Sequence, residues 1–291
     1  MMKDFDPKEL KKLYVPHPDS HKGQNGKLLL ISGSKLFHSS SLWALKVASR
    51  ILDMVYYSSV EENNKLVLEA KKEFRNGIVI PRDKIGDYVK EADCVLIGPG
   101  LPRKDGQETG DDDTKTLTES LFKKYPMKKW VIDGGSLQTI DPKVLKLLKK
   151  PIITPHHREF EILVSSIKCQ VLSMEMGNLK LEEQVKLFAK EYKCTVVLKG
   201  PIDYVCSSEK CVEIKGGNAG MTKGGTGDVL AALIASLYCK NEAFLSACAG
   251  SYFNKKAGES LFKKVGYYFN SSDLVEEIPK TMKNYLSVSK C

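Results

Sequence analysis

The sequence predicts an α/β protein in which helices cover both faces of a mostly parallel central sheet. Short apolar runs rich in β-branched residues recur along the chain, helix-like segments lie between them, and polar or glycine residues follow most of the runs. Strands buried on both faces are continuously apolar, and their alternation with helices is typical of a parallel sheet. Ligands of such sheets bind beyond the carboxyl ends of the strands.

The predicted elements follow one another in a regular order. Apolar runs predict strands at residues 27–32, 94–98, 130–133, 152–154 and 195–199. The segments between them predict helices at residues 39–52, 114–125, 142–149, 159–165 and 181–192. Residues 203–206 and 211–214 flank a polar turn and are predicted to form a hairpin, and the apolar segment 229–237 is predicted to be a helix. The polar, acidic segment 105–113 is the expected mobile loop.

Composition limits the class of protein. With 291 residues and a hydrophobic content of 42%, we expect one domain, residues 1–291, with a sizeable core. The chain has no run of about 18 apolar residues and no signal peptide, so we expect a cytoplasmic protein that does not enter a membrane. The net charge of +9 comes with scattered lysine pairs and no interleaved aromatic residues, which argues against nucleic-acid binding. The eight cysteines form no Cys-x-x-Cys pair, so reduced thiols are expected.

A glycine-rich stretch at residues 216–228 is the most informative part of the chain. It contains six glycines before Asp228 and leads directly into the predicted helix at residues 229–237. Glycines allow backbone amides to surround an anion, and the start of a helix is electropositive, so the stretch predicts a phosphate site. Asp228 would repel a phosphate unless it acts as a base or through a metal, which indicates phosphoryl transfer. The alternative is a glycine-rich turn in which Asp228 only caps the helix.

Two other phosphate signatures are absent from the sequence. No segment fits the P-loop pattern, and residues 98–103 lack the third glycine of a dinucleotide-binding fingerprint. Polar and glycine residues do follow four predicted strands, and these ends should meet at one edge of the sheet. The residues are Gly98-Pro99-Gly100, Asp133-Gly134-Gly135, Thr154-Pro155-His156-His157 and Lys199-Gly200.

Together these motifs resemble the ADP- or ATP-dependent NAD(P)H-hydrate dehydratases, a family of ribokinase-like fold. The resemblance covers roughly residues 20–279 in the family's order, and it rests on His21-Lys22-Gly23 with Gly26, Gly98-Pro99-Gly100-Leu101, Val131-Ile132-Asp133, Thr154-Pro155-His156 with Glu159, Leu198-Lys199-Gly200 and residues 220–228. It implies repair of hydrated NADH or NADPH (NADHX or NADPHX). The ring hydroxyl is phosphorylated and phosphate is then eliminated, with ADP or ATP consumed as a cosubstrate and Mg²⁺ bridging its phosphates.

The resemblance also implies roles for individual residues. Asp228 would be the catalytic base and a substrate contact, and no metal ligand is assigned. Ser40, Gly100 and His156 would contact the hydrated nucleotide, although His156 could only cap a helix and Ser40 could only be a small packing residue. The adenine nucleotide would contact the segment from Lys199 through Gly200, Pro201 and Ile202 to Asp203, and also Gly225, Thr226 and Gly227. Lys199 could instead be a surface lysine that ends a strand.

The sequence departs from the family pattern at four places, one of which is His157-Arg158 in place of a typical small pair before Glu159. Ser39-Ser40-Ser41 replaces Gly-Ala-Ala, and Asp133-Gly134-Gly135 replaces Asp-Ala-Asp with the loss of one carboxylate. Asp203 stands where a threonine is usual, which places a negative side chain near the expected nucleotide. The nucleotide loop is therefore the assignment that these departures affect most.

The resemblance implies partners as well. We expect a homotetramer and a separate NAD(P)HX epimerase, since only about twenty residues precede His21, too few for a further domain. ADP is preferred over ATP by analogy with standalone relatives. One alternative function is a ribokinase-like kinase of a vitamin-precursor alcohol, such as hydroxyethylthiazole or hydroxymethylpyrimidine, which would use the same Asp228. Another is a nucleotide-binding regulatory protein, which the presence of Asp228 disfavours.

Overall fold

The computed structural model describes residues 2–103, 114–167 and 179–286, so the loop expected at residues 105–113 lies outside the described ranges. Within them the strands are Lys3–Asp4 (β1), Lys27–Ile31 (β2), Met54–Ser58 (β3), Ile78–Val79 (β4), Cys94–Ile97 (β5), Lys129–Ile132 (β6), Ile152–Ile153 (β7), Thr195–Leu198 (β8), Asp203–Cys206 (β9) and Cys211–Ile214 (β10). They form one sheet in the order β1-β10-β9-β8-β7-β6-β5-β2-β3-β4.

The α-helices of the described ranges lie between and after these strands. They are Ser39–Ala48 (α1), Glu61–Ala70 (α2), Ile85–Glu91 (α3), Thr114–Lys124 (α4), Gly134–Thr139 (α5), His157–Ser165 (α6), Leu181–Glu191 (α7), Thr226–Lys240 (α8), Ala243–Val265 (α9) and Ser271–Tyr285 (α10). Short 3₁₀ helices occupy Pro7–Lys12, Arg82–Lys84, Pro142–Leu147 and Ala219–Thr222.

The sheet is mostly parallel, and both of its faces are buried. In the described ranges the antiparallel pairings are those of β9 with β8 and β10, which form the predicted hairpin edge. Leu28 and Leu30 of β2 belong to one hydrophobic cluster with α1, α8, α9 and α10, whereas Leu29 and Ile31 belong to a second with α3 to α7. Alternate side chains of a strand point to opposite faces, so helices cover the sheet on both sides. The predicted fold class is confirmed.

One predicted helix is of a different type in the structure, and several observed elements were not predicted. The helix expected at residues 142–149 is the 3₁₀ helix Pro142–Leu147, where the Asp141 side chain accepts a hydrogen bond from the Lys143 amide at 3.0 Å. The aspartate cap and the proline at the first position explain why this helix begins at Pro142. The elements that were not predicted are β1, β3, β4, α2, α3, α5, α9 and α10. Helix α2 is mostly polar and β4 contains only two residues, so neither gives a clear sequence signal.

The expectation of reduced thiols is wrong for one pair of cysteines. Cys206 and Cys211 lie opposite each other in the β9–β10 hairpin, with their Cα atoms 4.1 Å apart, and form a disulfide. The thiols of Cys94, Cys194, Cys239 and Cys248 are free and buried. Sequence spacing does not reveal the pair, since the register of the hairpin brings the two sulfurs together. None of the described helices has both the length and the apolar character that crossing a bilayer requires.

Candidate active site

Three strands bring a group of charged side chains together at the carboxyl edge of the sheet. Asp133 follows β6, Glu159 lies in the first turn of α6 after β7, and Lys199 follows β8. The Lys199 ammonium lies 2.8 Å from Oδ1 of Asp133 and 3.8 Å from Oε2 of Glu159. The Thr154 hydroxyl donates a further hydrogen bond to Asp133 at 2.8 Å. We refer to Asp133, Glu159 and Lys199 as the Lys199 cluster.

Lys199 keeps its positive charge although it is largely buried. Burial lowers the pKa of Lys199, but the carboxylates of Asp133 and Glu159 outweigh that effect and raise it overall. The side chains of Asp133 and Glu159 are each only 3% exposed. A buried carboxylate is stable only when it is paired, and the lysine supplies that partner. Lys199 is therefore an internal ion-pair partner and not the surface lysine that the sequence left possible.

Asp228 lies in the first turn of α8, close to the Lys199 cluster. Burial and the negative charge of Asp133 raise its pKa to about 7, Glu159 acts in the same direction, and Lys199 and Arg103 oppose them. Asp228 nevertheless remains partly accessible to solvent. A carboxyl group with a pKa near neutrality that a ligand can reach suits general base catalysis.

The glycine-rich stretch forms a tight turn at the start of α8. Gly225 has a φ of +91°, and a Cβ at this position would lie 2.2 Å from the Trp43 ring. The Thr226 hydroxyl closes the turn by donating to the carbonyls of Met221 at 2.7 Å and Lys223 at 3.0 Å. The first amides of a helix have no acceptor within it, so the amides of Gly227 and Asp228 remain available to an anion. Lys223 is held away from this point, since its ammonium bonds to the Tyr267 carbonyl.

The change from Asp-Ala-Asp to Asp133-Gly134-Gly135 has a steric explanation. The loop after β5 crosses the start of α5 so closely that a Cβ on Gly135 would lie 2.2 Å from the Leu101 carbonyl oxygen. A Cβ on Gly98 would lie 1.8 Å from the Asp133 carbonyl oxygen. Only glycine permits this crossing of two backbones. The crossing therefore leaves no room for a second carboxylate at position 135.

The three residues predicted to contact the hydrated nucleotide occupy two places. Ser40 and Gly100 adjoin each other, since a Cβ on Gly100 would lie 2.1 Å from the Ser40 hydroxyl, which donates to the Phe37 carbonyl at 3.0 Å. His156 caps α6, where its Nδ1 accepts from the Glu159 amide at 3.1 Å. The His156 side chain is 46% exposed and its Nε2 faces Glu159 at 3.6 Å, so the ring can cap the helix and still meet a ligand. These ligand contacts remain predictions.

The side chain of Asp203 points into the protein. Its Oδ1 accepts from the Gly200 amide at 2.9 Å, and its Oδ2 accepts from the Ser251 hydroxyl at 2.6 Å. The Lys255 ammonium, also buried, lies 3.2 Å from Asp203 Oδ1 and donates to the carbonyls of Gly200 at 2.9 Å and Pro201 at 3.2 Å. The negative charge that the sequence placed near the nucleotide is therefore neutralised inside the fold, while Gly200 and Pro201 are exposed.

Several residues of the site were not assigned a role from the sequence. Asp133 and Glu159 belong to the quoted motifs, and their position after β6 and β7 is a signal that could have identified them. Trp43 and Lys255 gave no signal, because each reaches the site from a helix distant in sequence. Arg103 lies near Asp228 at the edge of the undescribed segment, and it was also missed.

Comparison with known proteins identifies the family. Residues 28–280 match the family described as NAD(P)H-hydrate dehydratase. The chain belongs to the NAD(P)H-hydrate dehydratase family. The resemblance inferred from the motifs is thereby confirmed, and the family region includes the Lys199 cluster, Asp228 and the glycine-rich stretch.

Two relatives illustrate the membership. The bifunctional NAD(P)H-hydrate repair enzyme Nnr of Methanocaldococcus jannaschii is 35% identical over 282 residues, which cover 94% of this chain and 52% of that protein. The chain thus spans about half the length of that relative. The ADP-dependent (S)-NAD(P)H-hydrate dehydratase of Nitrosopumilus maritimus is 31% identical over 292 residues, which cover 95% of this chain and 96% of the relative.

Solved structures support the ribokinase-like fold. A ribokinase-like superfamily protein of Enterococcus faecalis has a TM-score of 0.77 and 21% identity, covering 98% of this chain and 96% of its own. The ADP/ATP-dependent NAD(P)H-hydrate dehydratase of Bacillus subtilis, co-crystallised with ATP and Mg²⁺, has a TM-score of 0.75 and 19% identity, covering 98% and 99%. At these identities the likeness establishes the fold alone.

The crowded turn leads to a prediction about Gly225. Gly225→Ala should destabilise the protein by roughly 2–5 kcal/mol, because the new Cβ meets Trp43 and the backbone has a positive φ. The matched control is Gly224→Ala, where a Cβ would meet nothing within 4 Å. Urea unfolding of both variants measures the difference. Equal stability of the two would contradict the proposed packing of Trp43 on the turn.

A second prediction concerns the buried pair of Asp203 and Lys255. Asp203→Ala should cost about 3–5 kcal/mol, because it leaves a buried ammonium without its carboxylate. Adding Lys255→Met should recover part of that loss, since the unpaired charge disappears with it. Asp4→Ala is the control, since Asp4 and Lys215 form an exposed pair and no measurable change is expected. Additive losses from the two buried substitutions in urea unfolding would show that they do not form a pair.

Proposed function

We propose that this chain dehydrates NADHX and NADPHX back to NADH and NADPH, with ADP as the preferred cosubstrate and ATP as the alternative. The observation that carries the proposal is the Asp228 carboxyl, with a pKa of about 7, in the first turn of α8 beside the glycine-rich stretch. Family membership over residues 28–280 supports the reaction, and the ADP-dependent relative from Nitrosopumilus maritimus supports the choice of nucleotide.

The first step that we propose is phosphoryl transfer. The deprotonated Asp228 accepts the proton of the ring hydroxyl while the hydroxyl oxygen attacks the terminal phosphorus of the nucleotide. A new P–O bond forms as the bond to the remaining nucleotide phosphate breaks, which leaves AMP when ADP is the cosubstrate. Amides at Gly225 to Gly227 and the positive end of α8 stabilise the charge that develops on the transferred oxygens.

The second step is elimination. The bond between the ring carbon and the phosphoester oxygen breaks and inorganic phosphate leaves, while the neighbouring ring carbon loses a proton to solvent, so that the ring double bond is restored. Hydroxide is a poor leaving group and phosphate a good one, which is why the nucleotide is consumed. The release of free phosphate distinguishes this reaction from that of a kinase, which releases the phosphoester as its product.

The residues present fit a magnesium ion that is bound chiefly by the nucleotide. Within the described ranges no group of three or more histidine, cysteine or acidic side chains is arranged to hold a metal. Mg²⁺ usually takes one or two carboxylates together with phosphate oxygens. Asp133 is the carboxylate that would share it, because Lys199 and Thr154 bond to its Oδ1 and leave Oδ2 for the ion, which would neutralise phosphate charge during transfer. Both oxygens of Glu159 already accept hydrogen bonds, from the Gln138 side chain and the His156 amide.

We assign the remaining contacts as follows. Ser40, Gly100 and His156 contact the hydrated nicotinamide nucleotide, because Ser40 lies in the first turn of α1 after β2, and Gly100 and His156 follow β5 and β7, all at the carboxyl edge of the sheet. The adenine nucleotide contacts the exposed backbone of the loop from Gly200 to Ile202, together with Thr226 and Gly227. For Lys199 and Asp203 the assignment is restricted to the backbone, since their side chains are engaged with Asp133 and Lys255.

The expected partners and location belong to the same proposal. We propose a homotetramer in the cytoplasm that works with an NAD(P)HX epimerase, because the dehydratase handles one epimer of its substrate. Size-exclusion chromatography with light scattering measures the oligomeric state. Addition of a purified epimerase to a mixture of NADHX epimers tests whether the dehydratase depends on that enzyme.

The function is tested by adding NADHX and either ADP or ATP, with Mg²⁺, to the purified chain. The expected result is recovery of the absorbance of reduced nicotinamide together with free phosphate. Asp228→Asn should lower turnover by about 10² or more while nucleotide affinity is retained, in the range of a general base contribution. Asp87→Asn, an exposed carboxylate on α3, is the control and should be unchanged. Accumulation of a phosphoester without phosphate release would indicate the kinase instead.

The pKa of Asp228 leads to a prediction about pH. A base must be deprotonated, so kcat/KM should rise with pH and level off above about 7. Lys199→Met should move the rising part of this pH profile to higher pH. The ammonium lowers the pKa of Asp228, whereas Asp133 and Glu159 raise it. Arg103 is unchanged in that variant and continues to lower it. If the rising part of the profile stays in place or moves to lower pH, the pH dependence of kcat/KM does not report the titration of Asp228.

A further inference from the structure

A cavity of about 280 Å³ lies at the end of α8 opposite to Asp228. At about 1.5 Å of rise per residue, Lys240 on its wall is roughly 18 Å from Asp228 along the helix. Five parts of the chain line the cavity: residues 13–16, Asn25, the turn at 50–52 before β3, the end of α8 with Asn241, and the end of α10 with Leu286. None of the residues assigned to the active site lines it. The cavity is therefore a separate feature of the molecule.

The interior of this cavity is apolar. Leu13, Leu52, Leu237, Met282 and Leu286 contribute to its walls. The uncharged polar side chains of the lining already have partners. Asn241 accepts from the Tyr14 amide at 2.7 Å and donates to the Leu237 carbonyl at 2.7 Å. Asn25 accepts from the Tyr14 hydroxyl at 2.7 Å, and the Ser236 hydroxyl donates to the Ala232 carbonyl at 2.7 Å. Ligand sites of this kind combine apolar walls with a small number of placed polar groups. The interior thus suits a hydrocarbon group.

The lining is strongly one-sided in charge. It includes Arg50, Lys240 and Lys283 but neither aspartate nor glutamate. Arg50 is paired with Glu276 of α10. Lys240 lies over the Tyr14 ring at 5.1 Å, and among the described residues neither Lys240 nor Lys283 forms an ion pair with a carboxylate. Two cations without carboxylate partners beside an apolar cavity complement an anionic headgroup attached to an apolar body.

We propose that this cavity binds a medium-chain carboxylate, with its hydrocarbon chain inside and its headgroup between Lys240 and Lys283. The apolar walls favour burial of the chain at about 25 cal/mol per Å² of apolar surface. The lysines select the charge, because a carboxylate gains hydrogen bonds to ammonium groups that an alcohol gains only weakly. The proposal is independent of the dehydratase reaction, since no group used there takes part.

The test is calorimetric titration of the full chain with three probes below their micelle concentrations: decanoate, decanol and decyltrimethylammonium. Decanoate should bind at one site, at least about tenfold more tightly than either of the other two. Lys240→Gln combined with Lys283→Gln should weaken decanoate about tenfold and leave decanol unchanged. Lys263→Gln, an exposed lysine of α9 outside the cavity, is the matched control and should bind decanoate normally.

A second variant tests the cavity itself. Leu237→Trp places a larger side chain into the space, and binding of all three probes should be lost. Far-UV circular dichroism and the melting temperature establish that this variant folds, and the lysine variants test the proposal if it does not. Absence of decanoate binding, equal binding of the three probes, or decanoate binding that survives the double lysine substitution would each overturn the proposal.

Discussion

The chemistry of the site depends on one ammonium group, that of Lys199. Three carboxylates, those of Asp133, Glu159 and Asp228, come close together where solvent is largely excluded. Without a cation their mutual repulsion would be costly, because charges interact strongly at low dielectric. One ammonium neutralises part of this charge and bonds directly to Asp133. Burial, together with the negative charge that remains on Asp133 and Glu159, then raises the pKa of Asp228, the carboxyl that solvent still reaches, to about 7.

Close backbone contacts hold this cluster in place, and they come from loops distant in sequence. The loop after β5 crosses the start of α5 at Gly98 and Gly135, and the turn before α8 packs on Trp43. The Lys255 ammonium links two further segments, because it donates to the carbonyls of Gly200 and Pro201 and also to the Gly216 carbonyl at 3.4 Å. Each contact removes freedom from a segment that meets the ligand. Pre-organisation of this kind lowers the entropy cost of binding and of reaction.

The sequence predicts the fold better than it predicts the side-chain contacts within the site. Buried parallel strands are continuously apolar, so β6, which Asp133 follows, and β8, which Lys199 follows, were located to within about one residue. Asp228 was found because glycines and a helix start are local signals. The partner of Asp203 was not found, since Lys255 lies on α9 and only the fold brings the two together. The Cys206–Cys211 bond depends in the same way on hairpin register.

The packing of Trp43 on Gly225 has one more consequence. The chain contains two tryptophans, and Trp130 is fully buried beside Phe122, with ring centroids 4.9 Å apart, on the face of the sheet opposite Trp43. Trp43 is partly exposed and its indole nitrogen donates to the Ser272 hydroxyl at 3.1 Å. The emission of an indole shifts with the polarity around it. The protein thus carries its own optical reporter directly under the turn where the phosphates are expected, without any added label.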